Sequence, residues 1–201
     1  YNWGYSDDVV DIPWEQNEIV AKYNLDKGKF YVIHAGNIGK MQNVEIVVNA
    51  PKKLQNREDI QFLIIGDGSR REVIEKMAQG LKNVTMLPMQ PSEIATHIYS
   101  AAGVNVIPLV VGGTKTAMPS KTGVVLSCGQ PVIFCFDSSE RFIKSVEKNR
   151  AGTVINPEDS DALATEILKF EAKEKKMKEF GLFCSTFRRL ENIEKYKASV
   201  R

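Results

Sequence analysis

Short, mainly apolar runs alternate along this chain with longer stretches whose apolar residues recur every third or fourth position. The runs over 30–36, 61–68, 84–88, 104–109, 132–136 and 152–156 read as six strands. Runs so short and so largely apolar are buried on both faces, as in a parallel sheet. Helical periods lie between them. Residues 43–54 place Val44, Val47, Val48 and Leu54 on one face, and 70–80 form the next helix. Pro91-Ser92-Glu93 opens another, and Ser138-Ser139-Glu140 opens one with Phe142, Ile143 and Val146 as its core face. Asp159-Ser160 caps a helix burying Leu163, Ile167 and Leu168. The alternation gives an α/β three-layer sandwich, a six-stranded parallel sheet with helices on both faces and extra C-terminal helices. The expected organisation is a polar lead-in over 1–29 with a short helix at 14–23, a domain over 30–172, and helices over 173–201 broken at Gly181.

One stretch, 112–132, stands apart. It begins as a glycine turn, continues as a short helix and launches a strand. Pro119 suits the first turn of the helix, Gly129 the left-handed residue that closes it, and Pro131 the first residue of the strand. The helix then starts near Ser120 and Lys121, where unpaired N–H groups, a hydroxyl and an ammonium share one place. That is a site for an anion, phosphate above all. Parallel sheets bind ligands at the carboxyl ends of their strands. The turns at Gly36, Gly66 and Gly112 sit there too.

Composition narrows the class. With 201 residues, 43% hydrophobic and 26% charged, the chain is globular and of ordinary single-domain size. A net charge of +2 without aromatic–basic interleaving argues against nucleic acid. Residues 169–201 carry ten Lys and Arg against five Glu, leaving the rest at −3. A solvated helix face is the preferred account of that basic tail, and an anionic membrane surface the alternative. Cys128, Cys135 and Cys184 lack metal-type spacing and read as reduced cytosolic thiols. Asn83-Val84-Thr85 matches a glycosylation sequon with nothing else pointing to secretion. No apolar run reaches membrane-spanning length. Tyr1-Asn2-Trp3-Gly4-Tyr5 reads as the middle of a chain, so a fragment is expected.

Two familiar phosphate loops are missing. The dinucleotide fingerprint is absent after the first strand, where Gly36-x-x-Gly39 is shorter, and Gly39-Lys40 is followed by Met41 rather than Ser or Thr. What remains is a pair of loops, 36–40 and 112–121, able to offer N–H groups and lysines to one diphosphate. His34 and His97 have no clustered acids or cysteines and read as structural. Asp67 reads as a turn former. Asp137, after the fifth strand, stays ambiguous.

Taken together, Ala35-Gly-Asn-Ile-Gly39, Phe62-Leu-Ile-Ile-Gly-Asp-Gly68, Asn83-Val-Thr-Met-Leu-Pro88, Pro119-Ser-Lys121 with Gly129-Gln-Pro-Val132, and Ala151-Gly-Thr-Val-Ile-Asn-Pro157 form an ordered series. It resembles the C-terminal, nucleotide-sugar-binding half of retaining GT-B glycosyltransferases of family 4, group 1. The nearest branch builds capsule, O-antigen or colanic-type polysaccharide and includes L-fucosamine transferase-like enzymes. The resemblance spans roughly 30–190 and implies a Rossmann-like domain, with an N-terminal acceptor domain absent from the chain. It also implies metal-independent transfer from a UDP- or GDP-linked donor, with no cofactor, to a lipid-linked sugar acceptor. The implied setting is cytoplasmic, with peripheral contact at the inner membrane, and no nucleic acid is involved.

The resemblance carries over to residues as follows. The diphosphate would meet Gly36, Asn37, Gly39 and Lys40 on one side, and Thr114, Lys115, Ser120 and Lys121 on the other. Base and ribose would lie near Gly66, Asp67, Met89 and Gln90. Many members have Arg and Lys where this chain has Asn37 and Gln42, so Lys121 carries more of the charge, with Lys40 or Lys115. The family's E-x7-E pair falls at Thr116 and Val124, and valine accepts no hydrogen bond from a ribose. Another residue substituting for that Glu is the preferred account, ahead of weak donor binding or a non-catalytic nucleotide-binding module. A nicotinamide-dependent oxidoreductase ranks last. No catalytic residue is expected within this domain, and the domain alone is expected to be inactive.

Overall fold

The computed structural model describes residues 11–115 and 119–179. Expectations for Thr116, Cys184, the lead-in before Asp11, the break at Gly181 and the tail beyond Glu179 lie outside the described residues.

Six strands form one sheet: β1 (Phe30–Ala35), β2 (Ile60–Ile65), β3 (Val84–Leu87), β4 (Val104–Pro108), β5 (Val132–Cys135) and β6 (Gly152–Ile155). Their order is β3-β2-β1-β4-β5-β6, and every pairing is parallel. The chain winds outward one way from β1 and then restarts at β4 on its other side. The carboxyl ends of β1 and β4 therefore part at a switch point, where such sheets form a crevice.

The helices are α1 (Glu18–Tyr23), α2 (Glu45–Lys53), α3 (Arg71–Ala78), α4 (Ala95–Ser100), α5 (Lys121–Ser127), α6 (Glu140–Lys148) and α7 (Ser160–Glu179). Alternation along β1 decides which layer each covers. Tyr31, Ile33 and Ala35 pack in one cluster with Ile19 of α1, Ile98 of α4, Val125 of α5 and Val146 of α6. Phe30 and Val32 pack in the other with Val47 of α2, Ile74 of α3 and Leu163 of α7. Burying such side chains is worth about 1.5–3 kcal/mol each, so both layers are needed to close the core.

The structure shifts several expected boundaries. The helix expected over 14–23 is a 3-10 turn, Trp14–Gln16, followed by α1. Asn17 makes the break, its Oδ1 accepting from the N–H groups of Ile19 (3.0 Å) and Val20 (3.3 Å). Its Nδ2 donates to His97 O at 2.7 Å, pinning α1 to α4. The lead-in is thus partly core, since Ile19 is fully buried. Asn17→Ala should cost about 2 kcal/mol, a lost cap plus a lost buried bond, read from the urea midpoint. At the other end α7 crosses 172/173 without a break. Asp159 caps it as expected, accepting from Ala162 N–H at 2.8 Å. Asn83 is buried and donates to Pro51 O and Leu54 O, so it is no glycan acceptor. Cys128 and Cys135 are buried free thiols.

Candidate functional site

The loop after β1 leaves the sheet at Gly36 and turns through a 3-10 segment, Lys40–Gln42. It lies hard against the loop after β2. Ile38 N–H donates to Asp67 O at 2.7 Å, and Arg70 N–H donates to Ile38 O at 2.9 Å. A Cβ at Gly66 would sit 1.8 Å from Gly36 O, which only glycine permits. Arg71 holds the same corner, its guanidinium donating to Gly66 O and to Leu87 O. Nothing in the sequence pattern had marked Arg71. Its place just after a Gly-x-Gly turn was the available signal.

Lys121 joins the two sides of the switch point. From the start of α5 its Nζ reaches the end of β1, donating to Ala35 O at 3.0 Å and lying beside Gly36. Burial of the ammonium lowers its pKa from 10.5 to about 7, and among the described residues no carboxylate offsets this. Below it His34 is fully buried, with Nδ1 3.2 Å from Val106 O. Burial first, and then the Lys121 charge, hold its pKa well below the ordinary value. His34 is therefore a neutral core residue, as expected.

The backbone donors of the site are fewer than the glycine pattern implied. Gly36 N–H is bound to Ile65 O, so the first loop's candidate donors are those of Asn37, Gly39 and Lys40. In the second loop, the N–H groups of Gly113, Lys115 and Thr122 go to Val110 O, Gly112 O and Pro119 O. Gly112 N–H goes to the Asp137 carboxylate at 2.5 Å. The helix itself starts at Lys121, as Pro119 and Ser120 suggested, and spans seven residues. Ser120 sits at its N-cap in helical geometry with no side-chain cap bond. Gly129 closes the turn after it at φ 70°, as expected. Loop-internal hydrogen bonding has absorbed most of the expected N–H cradle, and the lysines remain.

The other expected residues divide. Asn37 and Lys40 are exposed, with Asn37 Nδ2 donating to Gln42 Oε1 at 3.2 Å. The two neutral amides hold each other. Asp67 is exposed, and one carboxylate oxygen accepts from Gly68 N–H at 2.7 Å, a turn former. Gln90 is taken up in structure, donating to Tyr23 Oη and Pro88 O and accepting from Lys22 Nζ. Met89 stays exposed beside it. Lys115 is exposed, whereas Thr114 donates its hydroxyl to Asp137 O at 2.7 Å. Val124 is half-buried against the core cluster of its layer.

A cleft of 330 Å³ opens on the α2–α7 side, lined by Asn43, Ile46, Val110, Val111 and Pro157 among others. None of the expected donor-site residues lines it. The large hydrophobics exposed among the described residues, Met41, Met89 and Val111, all lie in loops beyond the carboxyl ends of strands. Among those residues no three His, Cys, Asp or Glu side chains gather as a metal cluster. No described helix is long and apolar enough to cross a membrane.

Known proteins are similar to this chain in sequence and fold. The chain is 30% identical over 108 residues to the putative colanic acid biosynthesis glycosyl transferase WcaI of Escherichia coli, covering 53% of this chain and 26% of that protein. It is 24% identical over 170 residues to the probable glycosyltransferase WbjE of Pseudomonas aeruginosa, covering 81% of this chain and 41% of that one. The chain thus spans well under half of either relative. Anabaena HepE, solved with UDP-glucose, superposes with a TM-score of 0.68 at 16% identity, over 97% of this chain and 50% of that one, and shares the fold. The family of glycosyl transferases group 1 matches residues 15–182, nearly all of the described chain, and to that family the chain belongs.

Proposed function

We propose that this chain is the donor-binding half of a retaining, metal-independent glycosyltransferase that moves a sugar from a nucleotide-sugar donor in bacterial surface-polysaccharide assembly. The observation that carries the reading is the half-buried Lys121, whose Nζ lies at the β1–β4 switch point beside Gly36 with no carboxylate partner among the described residues. A half-buried ammonium without a carboxylate is costly to the apoprotein, and a diphosphate supplies the missing charge. In that role Lys121 stabilises the leaving diphosphate as the glycosidic bond breaks. Lys40 and Lys115 add exposed charge at the rim, and base and ribose lie beside the Gly66–Gly68 turn, near Met89. WcaI and WbjE are both named as glycosyltransferases, and WcaI as one of colanic acid biosynthesis, which supports the reading. UDP-glucose in HepE supports a UDP-type donor.

In this reading Met41, Met89 and Val111 face an acceptor-binding domain, a lipid-linked sugar is the acceptor, and the protein works in the cytoplasm at the inner-membrane surface. Val124 favours a second reading, a nucleotide-binding module without transferase activity. Calorimetric titration of the full-length protein with UDP, GDP and NAD, followed by donor hydrolysis and transfer assays, separates them. UDP or GDP binding with turnover is expected. Binding without turnover leaves the second reading, and NAD binding alone rejects both.

A further inference from the structure

We propose that Asp137 is a positioning residue for donor binding, holding the 112–115 loop that carries Thr114 and Lys115 at the site. The inference rests on the donor-site reading above. Asp137 follows β5, whereas the loop follows β4, so its contacts tie together the ends of neighbouring strands. Its Oδ2 accepts the Gly112 N–H at 2.5 Å, and its backbone carbonyl accepts the Thr114 hydroxyl at 2.7 Å. Gly112 stands at φ 78°, a left-handed turn with no neighbour within 4 Å of where a Cβ would be. The Asp137 carboxylate holds that turn from outside the loop, alongside the loop's own Gly113 N–H to Val110 O and Lys115 N–H to Gly112 O bonds.

Charge makes the case sharper. A carboxylate close to a diphosphate weakens anion binding. Its presence here is explained by the acceptor it offers to Gly112, and a neutral amide oxygen would offer the same. Asp137→Asn therefore keeps the loop while removing the repulsion, whereas Asp137→Ala loses the loop. If the carboxylate instead served as a charge, the two variants would fail alike.

The test uses the full-length protein, with UDP and GDP as probes in calorimetry and hydrogen exchange across 110–115 without ligand. Asp137→Ala should bind the preferred nucleotide about tenfold more weakly, with its melting midpoint nearly unchanged. Asp137→Asn should bind as tightly as wild type or more so. Exchange at Gly112 and its neighbours should speed up at least tenfold in Asp137→Ala, stay slow in Asp137→Asn, and speed up in Thr114→Val, which breaks the second bond from the loop side. Wild-type exchange in Asp137→Ala, or an Asn variant as weak as the Ala variant, overturns the proposal. Should the wild type bind neither nucleotide, the donor reading fails and takes the functional half of this proposal with it, while exchange still decides whether Asp137 holds the loop.

Discussion

Between pH 7 and pH 9 the affinity of this protein for UDP is expected to fall by up to about tenfold per pH unit, and Lys121→Met should abolish that slope. Burial sets the free Lys121 ammonium near a pKa of about 7, so above neutrality it is largely unprotonated. A diphosphate against Nζ favours the charged form and raises that pKa. Binding above pH 7 then takes up a proton, and affinity is full below pH 7 and lost as pH rises towards the pKa of the complex. Stability runs the opposite way. The folded pKa of about 7 lies below the ordinary 10.5, so the unfolded chain binds more protons between the two, and unliganded stability rises with pH across that window. His34, the titratable neighbour beneath, is neutral throughout and adds no second step. Calorimetry at pH 8 in two buffers of different ionisation enthalpy should show close to one proton taken up per UDP. At pH 6.5 Lys121→Met should bind UDP about a hundredfold more weakly, the upper end for one charge-assisted bond. A flat pH profile with no proton uptake would sink the role given to Lys121.

The strands were legible because a buried parallel strand needs a short, mainly apolar run, and turn-forming residues bound each of these runs. Element ends were less so. Asn17 splits the first helical segment because its carboxamide caps α1 and crosses to His97 O, 80 residues away. Lys121 stood out in the sequence beside Pro119 and Ser120 as a candidate anion contact, but its bond to Ala35 O depends on a contact 86 residues apart in sequence. For the same reason Asp137 stayed ambiguous, since its meaning lies in Gly112 and Thr114 on another strand's loop. Gln90 was misleading in the other direction. Its position after β3 fits a ligand-facing loop, yet Tyr23, Lys22 and Pro88 take up its side chain.

Gly66→Ala is expected to be among the most damaging single changes to the fold, far beyond the same change at Gly80. Both glycines have positive φ, 153° at Gly66 and 82° at Gly80, so both variants bear left-side backbone strain of about 1–3 kcal/mol. Their surroundings differ. A Cβ at Gly80 meets nothing within 4 Å, whereas at Gly66 it falls 1.8 Å from Gly36 O and 3.4 Å from Ile38 Cγ1. Gly36 cannot give way freely, because its N–H is bound to Ile65 O and Lys121 Nζ lies beside it. Nor can Gly66, whose N–H is bound to Leu87 O and whose carbonyl is held by Arg71. Relief therefore requires the loops after β1 and β2 to part, breaking the bonds that join Ile38 to Asp67 and Arg70. A loss of about 4 kcal/mol or more follows, roughly 8–16 °C in melting midpoint for a domain of this size, against about 1 kcal/mol for Gly80→Ala. Because those loops also carry the proposed diphosphate contacts, UDP binding should disappear even at temperatures where the variant remains folded. A Gly66→Ala protein that melts with Gly80→Ala and still binds UDP would show that the close approach of Gly36 and Gly66 is not what shapes the site.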